Sequence, residues 1–267
     1  MTVERHPRAT AHDVPPKAAE IIAADLRGRI IGERLPPETP LPSENELRGI
    51  YSFSRASIRE ALRLLESDGL IYIKRGARGG VRVARPGMGQ LSRSFAVMFA
   101  TEGTPLRDLI RFRQLLEPAA AAAAAAAVRE DHQLQERLME ATENVGPHAT
   151  SGADLEFHRI LVGCSDNHLL RTSLLAVQQL SDWHIPAEQL SSRDLAGART
   201  AHRRLALAVV RGDGVGASRI MTVHLRAFEK VLHRLGRLDE PILPPSRWNS
   251  VVTGMGAIVC GSNGVTE

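Results

Sequence analysis

Residues 41–68 constrain the fold of this chain more than any other stretch, because they hold two helical patterns separated by a short break. Ser43 precedes the first pattern and Glu46 follows three residues later, which is the spacing of a helix capping box. Ser54 is well placed to cap the second pattern. Apolar residues of the second pattern recur at one-turn spacing and predict a buried stripe: Ile58, Leu62 and Leu65. Two helices joined by a tight turn are typical of a helix-turn-helix unit.

The second of these helices also carries arginines on a different face, at positions 55, 59 and 63. Three arginines on an amphipathic helix are more often solvated than engaged with nucleic acid, so this pattern alone decides little. Residues 70–83 then contain two alternating apolar runs around a glycine- and arginine-rich tip, which predicts a β-hairpin. A helix-turn-helix followed by a basic hairpin is a winged helix, and its second helix is expected to enter the major groove of DNA.

The distribution of charge supports a DNA-binding segment. The whole chain has a net charge of +4. Residues 17–85 hold 13 Lys and Arg against 9 Asp and Glu, whereas residues 86–267 hold 19 of each and residues 1–16 hold 2 of each. The entire positive excess therefore lies on the predicted winged helix, where phosphate groups would be contacted.

Length and composition set the broad class of the protein. A chain of 267 residues accommodates two domains of ordinary size, and 43% hydrophobic with 24% charged residues is typical of a globular protein. We expect no membrane span and no secretory signal, because the apolar runs are too short. The two cysteines, Cys164 and Cys260, lie far apart, so we expect no disulfide framework and a cytoplasmic location.

Strand patterns nearly vanish beyond Arg85-Pro86-Gly87, where helix-forming alanine, leucine and arginine dominate. We predict a mainly α fold, in which an N-terminal winged helix is followed by an antiparallel all-helical bundle. The bundle helices are predicted at 89–100, 105–128, 131–144, 152–164, 167–184, 191–211 and 214–236. The predicted segments are a disordered tail at 1–15, a DNA-binding domain at 16–85, a helical domain at 86–238 and a mostly disordered tail at 239–267.

Four polar residues of the helical region have the spacing of a metal site. Asp154 and His158 lie at i and i+4, on one helix face, although an isolated pair of this kind is more often a surface hydrogen bond. His202 and His224 lie on either side of a Gly-Asp-Gly turn, so antiparallel helices would bring them to similar heights. One carboxylate and three imidazoles would bind a divalent ion and leave a position open, with zinc the first choice and nickel or manganese possible.

The N-terminal motifs LPSENEL, SRASIREALRLLESDGLI and RGARGGVRV resemble the GntR family of bacterial transcription regulators. By this resemblance, the DNA contacts are made by residues of the second helix and the wing: Ser54, Arg55, Ser57, Arg59, Arg75 and Gly76. Many relatives have an arginine where this chain has Asn45. That departure puts one contact in doubt and implies a different operator preference.

The helical region resembles the metal-binding form of the FCD ligand-sensing domain in the FadR branch of that family. The motifs are RFRQLLEPAAA, DLEFHRIL, CSDNHLL, TAHRRLALAVVRGD and ASRIMTVHL. The resemblance implies that the metal ligands are Asp154, His158, His202 and His224. It also implies that Arg113 faces a cavity and pairs with an effector carboxylate. Asn167 is a second candidate contact to the effector, with the alternative that it caps the helix it begins.

These expectations favour a repressor, not an enzyme, that binds an inverted-repeat operator as a homodimer and senses a small carboxylate. A metal-dependent hydrolase is the alternative from another class, and it lacks a separate acid or base motif near the site. Two further alternatives are a regulator that senses the metal itself and a purely structural metal site in a protein that is controlled by a partner protein. The sequence identifies neither the effector nor the operator.

Overall fold

The structure, a computed structural model, describes residues 16–76, 79–143, 151–181, 190–244 and Trp248, without the side chains of residues 143, 151–155 and 181. The chain divides into two compact units, Met1–Gln90 and Leu91–Glu267. The predicted tail at 1–15 and most of the tail at 239–267 lie outside the described residues. Among the helices that are described, none has the length and hydropathy needed to cross a membrane.

The first unit contains three helices and a β-hairpin in the part of the chain that is described. They are α1 (Ala18–Gly32), α2 (Glu44–Tyr51), α3 (Arg55–Ser67), β1 (Ile71–Lys74) and β2 (Gly80–Val83). The strands are antiparallel, with Ile71 opposite Val83. The segment before α2 lies along the other edge of β2, where Leu41 N donates to Val81 O at 3.0 Å and Val83 N donates to Thr39 O at 3.0 Å. This is the helix-turn-helix and wing that the sequence predicts.

One apolar core holds the first unit together. The predicted stripe of α3 is buried, and it packs with residues of α1, α2 and the hairpin: Ile58, Leu62, Leu65, Ile22, Leu26, Ile30, Leu47, Ile71, Val81 and Val83. Ser43 and Glu46 form the predicted capping box at the start of α2. The i, i+4 spacing of the apolar residues thus determines which face of α3 packs inward and leaves its arginine face exposed.

The second unit is a helical bundle, and all seven predicted helices are confirmed in order. The structure gives them as α4 (Met88–Glu102), α5 (Leu106–Val128), α6 (His132–Glu143), α7 (Ser151–Gly163), α8 (His168–Ser181), α9 (Ser192–Val210) and α10 (Gly214–Arg234). The predicted fold class, a winged helix followed by an all-helical domain, is therefore confirmed.

Helix α5 lies at the centre of the bundle, in contact with α7, α8, α9 and α10. Small side chains on its inner face make this possible, since four alanines are buried there: Ala120, Ala121, Ala124 and Ala125. At the start of α10, a β-carbon on Gly214 would lie 3.1 Å from Ala122 O, so the backbones approach closely. Because the helices pack this closely, the side chains that lie one turn earlier on the same face of α5 are also buried.

The prediction of disorder from residue 239 is wrong for residues 239–244. Leu106 N donates to Glu240 O at 2.8 Å, and Ile242 N donates to Thr104 O at 2.8 Å. Ile242 and Leu243 are buried against α4 and α5. The segment has no helical period because prolines interrupt it, but its two apolar side chains complete the core at the start of α5.

Candidate metal centre and nucleic-acid interface

The turn between α2 and α3 positions the N-terminal end of α3. Ser52 adopts a left-handed conformation with φ of 57°, which ends α2 and redirects the chain. Ser54 Oγ then accepts a hydrogen bond from Ser57 N at 3.1 Å and lies 2.9 Å from Ser57 Oγ. Two of the predicted DNA contacts, Ser54 and Ser57, therefore hold the first turn of α3 in place, next to Arg55.

The arginines of α3 are exposed and only weakly held. The Arg55 and Arg59 side chains are 67% and 56% exposed, and their Nε atoms lie 3.5 and 3.9 Å from the Glu44 carboxylate. Exposed ion pairs of this kind stabilise a protein by about 0–1 kcal/mol. Both guanidinium groups can therefore exchange Glu44 for a phosphate or a base edge at little cost.

The wing presents its predicted contacts at the end of β1. Arg75 is exposed, and Gly76 has a φ of 106° that favours glycine at this position. The two tip residues that follow, 77 and 78, lie outside the described residues. The N-terminal end of α3 and the wing therefore both expose arginine side chains on the first unit.

Three buried histidines converge inside the second unit. They come from three helices: His158 from α7, His202 from α9 and His224 from α10. His224 Nε2 lies 3.1 Å from His202 Nε2 and 3.3 Å from His158 Nε2. Ligand atoms of all three rings lie within 4.8 Å of one another. The antiparallel arrangement of α9 and α10 brings His202 and His224 together as the sequence predicts.

Glu117 joins this cluster from α5 and is fully buried. Its Oε2 lies 2.7 Å from His158 Nδ1, while Arg113 Nε and Gln178 Nε2 donate to its Oε1 at 2.6 and 3.1 Å. Burial by itself would raise the pKa of this carboxyl. The positive charge of Arg113 and the hydrogen bonds from Arg113 and His158 outweigh that effect and hold the Glu117 pKa below its ordinary value of 4.5. Glu117 is therefore ionised at neutral pH.

An ionised Glu117 accepts only, so His158 donates from Nδ1–H and directs its Nε2 toward the other two histidines. Burial lowers the pKa of His202 well below 6.5, which keeps that ring neutral. Two ligands of a tetrahedral zinc ion, each about 2.0–2.1 Å from the metal, lie roughly 3.3 Å apart. The observed separations of 3.1 and 3.3 Å are close to that value. The three residues therefore fit a divalent metal ion.

The other predicted site residues lie in different settings. Asp154 is on α7, one turn before His158, but its side chain lies outside the described part of the structure. Asn167 is exposed at the start of α8, where its Oδ1 accepts from Leu170 N at 3.0 Å. This is the capping role that the sequence left as the alternative. Arg113 is buried as expected for a cavity residue, but it donates to Glu117.

Comparison with known proteins agrees with both units. The family model described as bacterial regulatory proteins, gntR family, matches residues 18–83, and the FCD domain model matches residues 108–227. The chain belongs to the GntR family. It carries an FCD domain behind its DNA-binding domain, and members of this family are DNA-binding transcription regulators.

Curated relatives of this GntR protein span both domains. The HTH-type transcriptional regulator LutR of Bacillus subtilis is 29% identical over 208 residues, 74% of this chain and 93% of LutR. The HTH-type transcriptional repressor NanR of Citrobacter rodentium is 27% identical over 236 residues, 83% of this chain and 87% of NanR. A solved structure, Streptococcus agalactiae GntR, has a TM-score of 0.57 at 22% identity and covers 79% of this chain and 99% of its own. That last similarity concerns the fold alone.

Sequence reasoning missed two residues of the cluster in the FCD domain. Glu117 has one local signal, its i, i+4 spacing to Arg113, and this spacing is common in exposed helices. Gln178 has no local signal, because a single glutamine on an amphipathic helix is usually exposed. Both are buried here by the packing of α8 against α5.

The buried ion pair gives a first prediction. Replacing Glu117 by alanine leaves the buried Arg113 guanidinium without its carboxylate, so the free energy of unfolding of the FCD domain should fall by about 3–5 kcal/mol. Glu140→Ala removes an exposed carboxylate from α6 and should change it by no more than about 0.5 kcal/mol. Urea denaturation at pH 7 measures both. Equal values for the two variants would contradict the ion pair.

The same pair has a defined pH dependence. Because the folded-state pKa of Glu117 lies below 4.5, its stabilising effect is fully present above that pH and is lost as the pH falls through the folded-state value. The difference in unfolding free energy between wild type and Glu117→Gln should therefore be constant from about pH 5 to 8 and shrink in more acidic solution. A difference that grew on acidification would have the wrong sign.

Proposed function

We propose that this protein is a ligand-responsive repressor of the FadR branch of the GntR family, which binds an inverted-repeat operator as a homodimer and senses a small carboxylate at a metal site. The observation that carries the proposal is the convergence of three buried histidine nitrogens beside an ionised, charge-paired glutamate. The regulator LutR and the repressor NanR, both related over most of their length, support the repressor role.

The metal site would use four ligands: Asp154, His158, His202 and His224. Zinc is the first choice for three imidazoles and a carboxylate, with nickel and manganese as alternatives. Glu117 would act behind these ligands, since its hydrogen bond to His158 fixes the tautomer that presents Nε2. A bound ion would supply an attractive position for a carboxylate oxygen of the effector.

The charges of the proposed metal site limit the net charge of the effector. Arg113 and Glu117 cancel each other, so the divalent ion and one ionised aspartate would leave a single positive charge in a buried setting. An isolated charge in such a setting is costly, and a monoanion removes that cost. A small monocarboxylate fits this requirement better than a neutral or cationic ligand.

DNA binding would use the exposed end of α3 and the wing, with the contacts assigned to Ser54, Arg55, Ser57, Arg59, Arg75 and Gly76. The serines already bind the helix backbone or each other, so they would position α3 against the phosphates. Arg55 and Arg59, which are held only by exposed ion pairs to Glu44, would reach base edges in the major groove. Asn45 is exposed on α2, and in place of an arginine it would weaken one contact.

Sequence-specific binding predicts a loss of discrimination in Arg59→Ala. A bidentate contact from arginine to guanine contributes about 1–3 kcal/mol of preference, so the ratio of operator to random-DNA affinity should fall by that amount. Arg29→Ala, in α1 of the same domain, should leave the ratio unchanged. Fluorescence anisotropy with both duplexes measures it. Unchanged affinities in the Arg59 variant would show that α3 is not the recognition helix.

The homodimer follows from the size of one recognition helix, which covers too few base pairs for a specific site. Two-fold related copies that read inverted half-sites solve this problem. Sedimentation at micromolar concentration should therefore give about twice the chain mass of 29.1 kDa. A monomer both free and on DNA would refute the dimer.

The metal site predicts a stoichiometric divalent ion. The double substitution of His202→Ala and His224→Ala removes two imidazole ligands and should abolish the bound metal, because zinc sites need three or four protein ligands. His132→Ala removes an exposed imidazole at the start of α6 and should leave the metal content unchanged. Elemental analysis of purified protein measures both. Full metal content in the double variant would show that His202 and His224 are not the metal ligands.

Regulation requires that the effector binds one arrangement of the dimer more tightly than the other, since equal affinity shifts no equilibrium. Helix α4 is the connection along the chain, because it follows the wing directly after Arg85-Pro86-Gly87 and leads into α5. Arg113 and Glu117 lie on α5, so a change at the effector site can reach α4 through neighbouring residues of the chain.

Arg113→Lys tests the effector contact without leaving Glu117 unpaired. Lysine keeps the positive charge but loses the planar group that binds two oxygens at once, so effector affinity should fall. Metal content and effector-free DNA affinity should stay close to wild type. Calorimetry with a panel of organic and sugar acids measures the binding. If neutral or cationic compounds, but no acid, change the operator affinity of metal-loaded protein, carboxylate sensing is wrong.

A further inference from the structure

Helices α9 and α10 carry a large excess of positive charge in a region that is neutral as a whole. Residues 86–267 hold 19 Lys and Arg and 19 Asp and Glu. Within them, residues 192–234, which form α9, α10 and the turn between them, hold 9 Lys and Arg against 3 Asp and Glu. The remainder of the region therefore has the opposite excess, so charges of the two signs are segregated along the chain.

The three acidic residues of this helix pair are engaged with other groups. Asp194 forms an ion pair with Arg234. Asp213 caps the start of α10, and Glu229 accepts a hydrogen bond from Gln114 of α5. The exposed cations that have no ion pair with any described residue are Arg193, Arg199, Arg203, Arg204, Arg211, Arg219, Arg226 and Lys230.

Six of these cations follow the outer faces of the two helices. Three lie along α9 and its C-terminal end and three along α10: Arg193, Arg204 and Arg211, and Arg219, Arg226 and Lys230. Within each set the separations are close to one, two or three whole turns of helix, so each set shares one face. Both helices pack against α5, which leaves their exposed faces together on the side away from α5. These six residues form the basic row.

The register of the helix pair spaces the basic row evenly. Contacts of His202 with His224 and of Asp194 with Arg234 bring the members of each pair to the same height. At a rise of about 1.5 Å per residue, the six cations follow one another at steps of about 5 Å and cover about 27 Å. Each strand of duplex DNA carries a phosphate about every 3.4 Å along the axis, so this length corresponds to about eight base pairs.

The side chains around the basic row favour a phosphate backbone as its partner. Cores of protein interfaces are rich in aromatic residues, and single-stranded nucleic acids stack on them. Residues 192–234 contain one such residue, Phe228, which packs against Arg113 instead. The apolar side chains exposed on the outer face of α10, Val215 and Val223, are small and lie two turns apart. Lysine and arginine alone suffice to contact the phosphates of a duplex.

We propose that the basic row is a second DNA-binding surface, which contacts the phosphate backbone of double-stranded DNA without reading its sequence. The winged helix belongs to the same chain, so DNA that it binds raises the effective concentration of phosphates around the FCD domain. Those phosphates belong either to the duplex that the winged helix holds or to a second duplex. The proposal goes beyond the proposed function, because it requires neither the metal nor the effector.

Neutralising part of the basic row in the full-length protein tests the proposal. The row variant carries three substitutions: Arg204→Gln, Arg219→Gln and Arg226→Gln. The control variant makes the same change of charge at exposed positions of α5 and α6: Arg107→Gln, Arg111→Gln and Arg137→Gln. A second row variant, Arg193→Gln with Lys230→Gln, repeats the test if the first fails to fold. Sedimentation should give the wild-type mass for each.

The salt dependence of DNA binding is the measured quantity. Fluorescence anisotropy with a random duplex of about 60 base pairs gives the affinity between roughly 50 and 300 mM KCl. Because each phosphate contact contributes about 0.9 to the slope of log K against log salt, the slope should be about 1–3 shallower in the row variant. The control variant should keep the wild-type slope. Equal slopes in wild type and both row variants, or an equal change in row and control variants, would overturn the proposal.

Two arms of the experiment distinguish the sources of phosphate. If the row contacts the duplex that the winged helix holds, the effect of the row variant should disappear on a duplex of about 15 base pairs. If it contacts a second duplex, two differently labelled duplexes should co-sediment with wild type and not with the row variant. A row variant that binds DNA as wild type does, but has lost affinity for polyglutamate, would overturn the proposal in favour of an acidic protein partner.

Discussion

The helix packing of the FCD domain depends on how the buried Glu117 carboxylate is stabilised. A carboxylate removed from water is strongly destabilising unless charges and hydrogen bonds compensate it. Three donors from three helices do so here: Arg113 from α5, His158 from α7 and Gln178 from α8. Each donor must lie within hydrogen-bond distance, so the carboxylate fixes the relative positions of these helices. The alanines that follow it on α5 let the neighbouring helices approach closely enough to satisfy it.

This arrangement determines the chemistry of the histidine cluster. Because His158 donates its Nδ1–H to Glu117, its Nε2 faces the ring nitrogens of His202 and His224. Nitrogens that lie 3.1 and 3.3 Å apart can be joined by a hydrogen bond from a ring protonated on Nε2, or by one divalent ion that all three rings bind. Burial lowers the pKa of His202, so this ring stays neutral and able to act as a ligand. The packing of α7, α9 and α10 thus supplies the nitrogen donors that the proposed metal site requires.

The sequence predicts this fold well because its signals are local. Capping at Ser43 and Ser54, and apolar spacing along α3, determine the helix-turn-helix, while the Gly-Asp-Gly turn aligns His202 with His224. The remaining features depend on tertiary packing. An Arg–Glu pair at i, i+4 looks the same on an exposed helix, and only the surrounding bundle buries Arg113 and Glu117. Ile242 and Leu243 belong to no periodic element, so the local sequence does not predict that they pack against α5.

The two domains use the same kind of ion pair for opposite purposes. On the winged helix, Glu44 lies 3.5 and 3.9 Å from the exposed Arg55 and Arg59, in pairs that contribute about 0–1 kcal/mol. In the FCD domain, Arg113 and Glu117 are buried, with 2.6 Å between Arg113 Nε and Glu117 Oε1. Removing one partner of such a buried pair costs about 3–5 kcal/mol. The first pair can open whenever a phosphate or base competes for the arginines. The second cannot open without destabilising the bundle. The effector of the proposed function would therefore have to bind beside this pair, through groups that the pair leaves available, and its binding energy would act on the helices that the pair holds together.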